Sequence, residues 1–91
     1  MTRTISSHEF VAFLRRVVRA SARRVAEGDE PELAELFAVR DDLDDAICSA
    51  IEGQLAIGKT WSQIAAGMGT SRQGAQQWYS RRRRDNERMP A

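Results

Sequence analysis

Between Arg72 and Arg84 the chain carries Arg72, Gln73, Gln76 and Gln77, then an unbroken run, Arg81-Arg82-Arg83-Arg84. Arg and Gln are the side chains that make paired hydrogen bonds to the edges of guanine and adenine. A guanidinium run also suits phosphate, because its planar fork matches two oxygens at once. The plainer use of such a run is a solvated helix end, where arginine complements the helix dipole. Upstream, Lys59, Thr60, Ser62 and Ser71 stand where two helices are predicted to start. Amides and hydroxyls at helix starts hold phosphate well. Trp61 has two readings there, an indole N–H for phosphate or a packing ring.

Catalytic chemistry is poorly provided for. His8 is the only histidine and Cys48 the only cysteine. A His-dependent triad, a multi-histidine metal site, a cysteine zinc site and an internal disulfide are therefore all disfavoured. No enzyme activity, cofactor or metal is expected. Cys48 reads as a small buried or half-buried side chain in a reducing compartment. His8 reads as a polar residue of a first helical turn.

Two patterns invite other chemistry. Gly53 to Thr60 matches the phosphate-loop pattern G-x-x-x-x-G-K-[ST] letter for letter. That loop needs a strand before it, and the residues here are helix-periodic, so nucleotide binding is only a remote alternative. Asp41, Asp42, Asp44 and Asp45 lack the glycine and distal glutamate of a calcium loop. They read as an acidic helix face or first turn, suited to pairing with the arginines of the first helix or to keeping DNA off that side.

The elements must be built from 91 residues, 42% hydrophobic and 30% charged, which is one domain's worth of chain. No apolar run approaches the roughly 20 residues of a membrane span. Met1 to Ile5 leads into charged sequence rather than an apolar leader core, so a cytoplasmic, nucleoid-associated protein is expected. The net charge of +1 conceals a division: residues 1–30 carry +2, 31–57 carry −6 and 58–91 carry +5. Thirteen of the fourteen basic residues are arginine, which suits phosphate and guanine but also follows from a GC-rich genome. A basic end segment on an acidic body points to nucleic acid, since phosphate contacts need one face only.

Periodicity is helical throughout. Ser6 and Glu9 resemble a capping box, and Phe10, Phe13, Leu14, Val17, Val18, Ser21 and Val25 then recur at helical spacing, predicting a helix over about 7–26. After Gly28, with Asp29 or Glu30 as cap and Pro31 in the first turn, Leu33, Leu36, Phe37, Arg40, Leu43, Ile47, Ala50, Ile51 and Leu55 keep one phase. They predict one long helix over about 31–57, a break near Arg40–Asp42 being the alternative because Asp is a poor mid-helix residue. Gly58 ends it. Thr60 and Gln63 form a second capping box, opening a short helix with Trp61, Ile64, Ala65 and Met68 inward. Gly69 turns the chain, Ser71 caps again, and a last helix runs to about Arg83 with Ala75 and Trp78 inward.

Helix, short glycine turn, helix is the helix-turn-helix layout. Trp61 to Trp78 resembles the helix-turn-helix of small bacterial transcriptional regulators, particularly those of actinobacteria and their phages. The pattern there is an aromatic, Ile-Ala or Ile-Gly, then Leu-Gly-Val-Ser-Arg-Gln and Ala. The resemblance covers about 25 of the 91 residues, plus the preceding helix. It departs at Thr70, where an apolar Val is usual, and at Gly67 and Gly74, which sit inside helices and imply a soft unit. It implies a tri-helical DNA-binding unit whose last helix enters the major groove.

The expected protein is thus all-α: an N-terminal helical hairpin plus a helix-turn-helix that shares the second long helix. It is a single domain over 1–91, with a dimerisation region over 7–42, a DNA-binding region over 43–84 and a flexible tail over 85–91. Its expected function is sequence-specific binding of double-stranded DNA as a transcriptional regulator, a repressor by preference. Arg72, Gln73, Gln76 and Gln77 would read bases. Lys59, Thr60, Ser62, Ser71 and Arg81 to Arg84 would hold phosphates. Phe10, Phe13, Leu14, Val17, Leu33, Leu36 and Phe37 exceed the apolar surface one hairpin needs, so a homodimer is expected. The alternative is a helical interaction module or assembly adaptor that docks a protein partner through the N-terminal helices.

Overall fold

The computed structural model describes residues 5–88, and every regular element among them is a helix: α1 (Ser7–Ala26), α2 (Glu30–Ala56), α3 (Trp61–Met68) and α4 (Arg72–Arg88). The fold is all-α, as the periodicity predicts. The tail expected from residue 85 is helical as far as Arg88, and its remainder, with residues 1–4, lies outside the described residues. α2 runs unbroken through Arg40–Asp45, so the alternative break does not occur. The chain divides within α2 into two compact units, Met1–Val39 and Arg40–Ala91.

In the first unit the Oγ of Ser6 accepts the Glu9 amide at 3.1 Å and caps α1. The chain turns after Ala26, with the Gly28 amide donating to the Val25 carbonyl at 3.0 Å, and α2 begins behind Asp29. No described residue of this unit is buried. The expected hairpin therefore has no core of its own. Near their joined ends the two helices border a common space, an open groove of about 580 Å³ along Ala22, Val25, Leu33 and Leu36. Phe10, Phe13, Leu14, Val17, Leu33 and Phe37 are exposed and Leu36 is half-buried.

The second unit has a core. Cys48 and Ile51 of α2, Ile64 and Ala65 of α3 and Ala75 of α4 are buried. Each isoleucine so buried contributes about 1.5–3 kcal/mol of transfer free energy. Ala65 and Ala75 are 3% and 0% exposed, and their small size lets α3 and α4 approach closely. The bulkier Met68 and Trp78, expected inside, are left at the edge, exposed and half-buried respectively.

Candidate nucleic-acid interface

Two glycine-terminated helices set the course of the chain into the candidate site. α2 ends at Gly58, whose φ is +99°, with the Gly58 amide on the Leu55 carbonyl at 3.1 Å and the Lys59 amide on the Gln54 carbonyl at 3.0 Å. α3 ends the same way at Gly69, with φ +73°, its amide on Ala66 at 3.2 Å and the Thr70 amide on Ala65 at 3.0 Å. Both are left-handed glycine closures that only a residue without Cβ adopts cheaply. The first also answers the phosphate-loop pattern. Gly53 to Ala56 are helical, and the amides of Ile57, Gly58 and Lys59 are spent on helix carbonyls, so none is free to wrap a phosphate.

Hydroxyls open the two later helices. Thr60 accepts the Gln63 amide at 3.2 Å, while the Gln63 side chain accepts the Thr60 amide at 2.9 Å, completing the capping box. The Thr60 hydroxyl also donates to Gln63 Oε1 at 3.3 Å, so it is occupied on both sides, contrary to its expected use on phosphate. Ser71 Oγ accepts the Gly74 amide at 3.0 Å, and its own hydrogen remains available to an outside acceptor. A Cβ built on Gly74 would lie 2.5 Å from Thr70 Oγ1 and 3.1 Å from Ser71 Oγ. Gly74 is thus the residue that lets the polar turn lie against α4, and Thr70 and Gly74 belong together. Gly67 has nothing within 4 Å of a built Cβ. Lys59 and Ser62 are exposed at the start of α3. Trp61 is half-buried and meets Tyr79 edge to face, with centroids 5.6 Å apart, so of its two readings the structure favours packing.

α4 has two different faces. On the outward one, Gln73, Gln76, Gln77, Ser80, Arg81 and Arg84 line one shallow polar groove, with Arg72 exposed at its start. Gln76 is half-buried, while Arg72, Gln73, Gln77, Arg81 and Arg84 are exposed. None of these five has a hydrogen-bonding or ion-pair partner among the described residues.

The face turned to α2 is where the sequence reading needs correction. Arg82 and Arg83 do not stand free for phosphate. Arg82 reaches Asp45 Oδ1 through Nη2 at 3.0 Å and through Nε at 3.2 Å. It also reaches the Asp41 carbonyl at 3.2 Å and the Asp41 carboxylate at 3.4 Å. Its side chain keeps only 16% exposure. Asn86 adds a hydrogen bond to the same Asp45 oxygen at 2.9 Å. Arg83 pairs with Glu52 at 2.6 Å, and Tyr79 donates its hydroxyl to Glu52 Oε2 at 2.5 Å. The Arg83 guanidinium lies 5.7 Å from the Tyr79 ring centroid. Asp41 and Asp45 of the acidic cluster therefore serve α4. The physical reason is the helical period: four consecutive arginines span about 300° of a helix, so they cannot share a face.

The charges respond accordingly. Asn86 and Arg82 donate to Asp45 and hold its carboxyl below the ordinary range. Tyr79 and Arg83 do the same for Glu52, and the bond to Glu52 raises the Tyr79 phenol. Burial raises the Cys48 thiol, which makes it a packing group rather than a thiolate. No group of three or more acidic, histidine or cysteine side chains suited to a metal occurs among the described residues. No helix among them is long and apolar enough to cross a membrane.

Tyr79, Glu52 and Asn86 were not singled out by sequence reasoning. The signal that finds them is the spacing Tyr79, Arg82, Arg83, Asn86 on one side of α4, opposite Asp41, Asp45 and Glu52 at turn spacing on α2. No protein-family model, curated protein or solved structure matches this chain.

Proposed function

We propose that this chain is a sequence-specific binder of double-stranded DNA that acts as a transcriptional regulator, a repressor by preference. α4 enters the major groove with its outward face. Arg72, Gln73 and Gln77 meet base edges, with half-buried Gln76 at the margin. Arg81, Arg84, Lys59, Ser62 and the Ser71 hydroxyl take phosphates. The observation that carries this reading is the division of α4: its inward polar groups are all paired to α2, while its outward arginines and glutamines are unpaired and lie on one strip. Arg82 and Arg83 hold the helix in place instead of touching DNA.

Selection from random duplexes at two salt concentrations tests the proposal. The expected result is an enriched motif bound with salt-sensitive affinity. Salt-sensitive binding without enrichment would remove the base-reading part and leave a backbone-led architectural protein. Absence of binding at low salt would overturn the proposal.

A further inference from the structure

α1 and the front of α2 carry apolar surface and opposite charge. α1 holds five arginines against the single Glu9, while residues 27–39 hold five acids and no base. The apolar residues are uncovered in the chain: Phe10 is 56% exposed, Phe13 53%, Val17 47% and Leu33 57%. On α1, Phe10, Phe13, Leu14 and Val17 lie on one stripe at helical spacing, with Arg16 at its edge and Arg24 on its continuation. On α2, Leu33, Leu36 and Phe37 form the matching stripe, with Glu30 and Glu32 beside it. A basic apolar helix and an acidic apolar helix are complementary, yet α1 buries no residue within its own chain.

We propose that this face binds a second copy of the chain, with α1 of each copy laid on the front of α2 of the other. The arrangement is self-complementary, as a two-fold interface requires: what α1 offers, α2 accepts, twice. The area is sufficient. Phe10, Phe13, Leu14, Val17, Leu33 and Phe37, at the exposures they show, present about 600 Å² per copy, or about 1,200 Å² in all, the low end for a stable specific interface. Flanking charge fixes the pairing, because α1 against α1 and α2 against α2 would each set like charges together. This inference does not rest on DNA binding.

The test is the oligomeric state of the full chain by sedimentation equilibrium, with helicity followed by circular dichroism. One variant carries Arg16→Glu and Arg24→Glu, and another carries Glu30→Arg and Glu32→Arg. The unaltered chain should be a dimer. Each variant alone should dissociate at least tenfold more readily, and an equimolar mixture should recover a dimer containing one of each. Phe13→Asp should weaken the dimer without relief from mixing. Three results would overturn the proposal: a monomer at all concentrations, a dimer that the first variant forms as well as the parent does, or variants that a mixture does not rescue. A monomer that binds anionic phospholipid vesicles through α1 would likewise overturn it, by assigning the face to a membrane surface.

Discussion

The two units use the same material differently. Both are helical, and both set large apolar residues at helical spacing. From Arg40 onward, Cys48, Ile51, Ile64, Ala65 and Ala75 are buried, whereas no described residue before it is. The difference lies in what returns the chain upon itself. In the second unit, glycine closures at Gly58 and Gly69 reverse direction within a few residues, and small Ala65 and Ala75 permit close approach. Cross-helix pairs from Arg82 and Arg83 then fix α4 on α2. The first unit has a turn and two helices with apolar stripes, but the groove they share near the turn stays open and none of its described residues is buried. An amphipathic stripe states that something must cover it; the covering partner is set by the turn and by charge.

The sharpest way to break this comparison is to shorten one aliphatic side chain in each unit. Ile64→Ala should cost about 2–5 kcal/mol, the range for emptying a buried aliphatic site. Leu33→Ala, at a concentration where the chain is monomeric, should change stability by no more than about 0.5 kcal/mol, since Leu33 is exposed and alanine is a good helix former. Trp61 and Trp78 both lie in the second unit, so tryptophan fluorescence reports that unit alone. Its thermal transition should fall above that of total helicity under the same conditions, because α1 frays first. Coincident transitions would mean that the two units unfold as one.

The same contrast recurs across α4 and can be sharpened on DNA. Arg72→Ala should cost about 1–3 kcal/mol at one base position of the preferred site. Arg84→Ala should weaken binding to all sequences alike and reduce the salt slope by about 1. Arg82→Ala should leave the salt slope unchanged and lower the melting temperature, since it breaks bonds to Asp45 and Asp41. A reduced slope for Arg82→Ala would return that residue to the phosphate-contacting set.

Acid should separate the units as well. The Asp45 and Glu52 carboxyls titrate below their ordinary range in the fold, so the unfolded chain binds more protons as pH falls. Their contribution is complete above the unfolded values, about 3.9 for Asp and 4.3 for Glu, and is lost as pH drops through the lower folded ones. Tyr79 has the opposite sign: its contribution is present below about pH 10 and lost as pH rises through the raised folded value. Fluorescence-detected stability should therefore fall at both extremes, and Asp45→Asn should flatten the acid limb only.

How much of this was legible beforehand depends on the range of the interaction. The four helices, the Thr60 and Ser71 caps and the Gly58 and Gly69 closures are local, and residue type at one to four positions suffices to place them. The continuity of α2 was less legible, because four aspartates disfavour helix locally and the groups that offset them, Arg82 and Asn86, stand some 40 residues away in sequence. The Arg81 to Arg84 run reads as one patch in the sequence because composition has no angle. A helix rotates about 100° per residue, so the run divides between an outward and an inward face. Tyr79 and Glu52 were missed for the same reason: each is unremarkable alone, and only the packing of α4 on α2 brings them to 2.5 Å.

The smallest effect tests whether the helix-interior glycines are a softness or a fit. Gly67 and Gly74 carry the same intrinsic penalty against alanine, about 0.5–1 kcal/mol. Their surroundings differ. A Cβ at Gly67 meets open space, and φ there is not positive, so Gly67→Ala should recover that amount in stability. A Cβ at Gly74 would meet Thr70 Oγ1 at 2.5 Å and Ser71 Oγ at 3.1 Å, and easing those contacts requires the Thr70 side chain to rotate away and the Ser71 cap to give. Gly74→Ala should therefore gain nothing or lose stability, while Gly74→Ala combined with Thr70→Gly or Thr70→Ala should recover part of the propensity gain. Equal stabilisation by alanine at both positions, measured by urea unfolding, would show that the turn does not press on α4. The polar turn and Gly74 would then be independent features rather than one fitted pair.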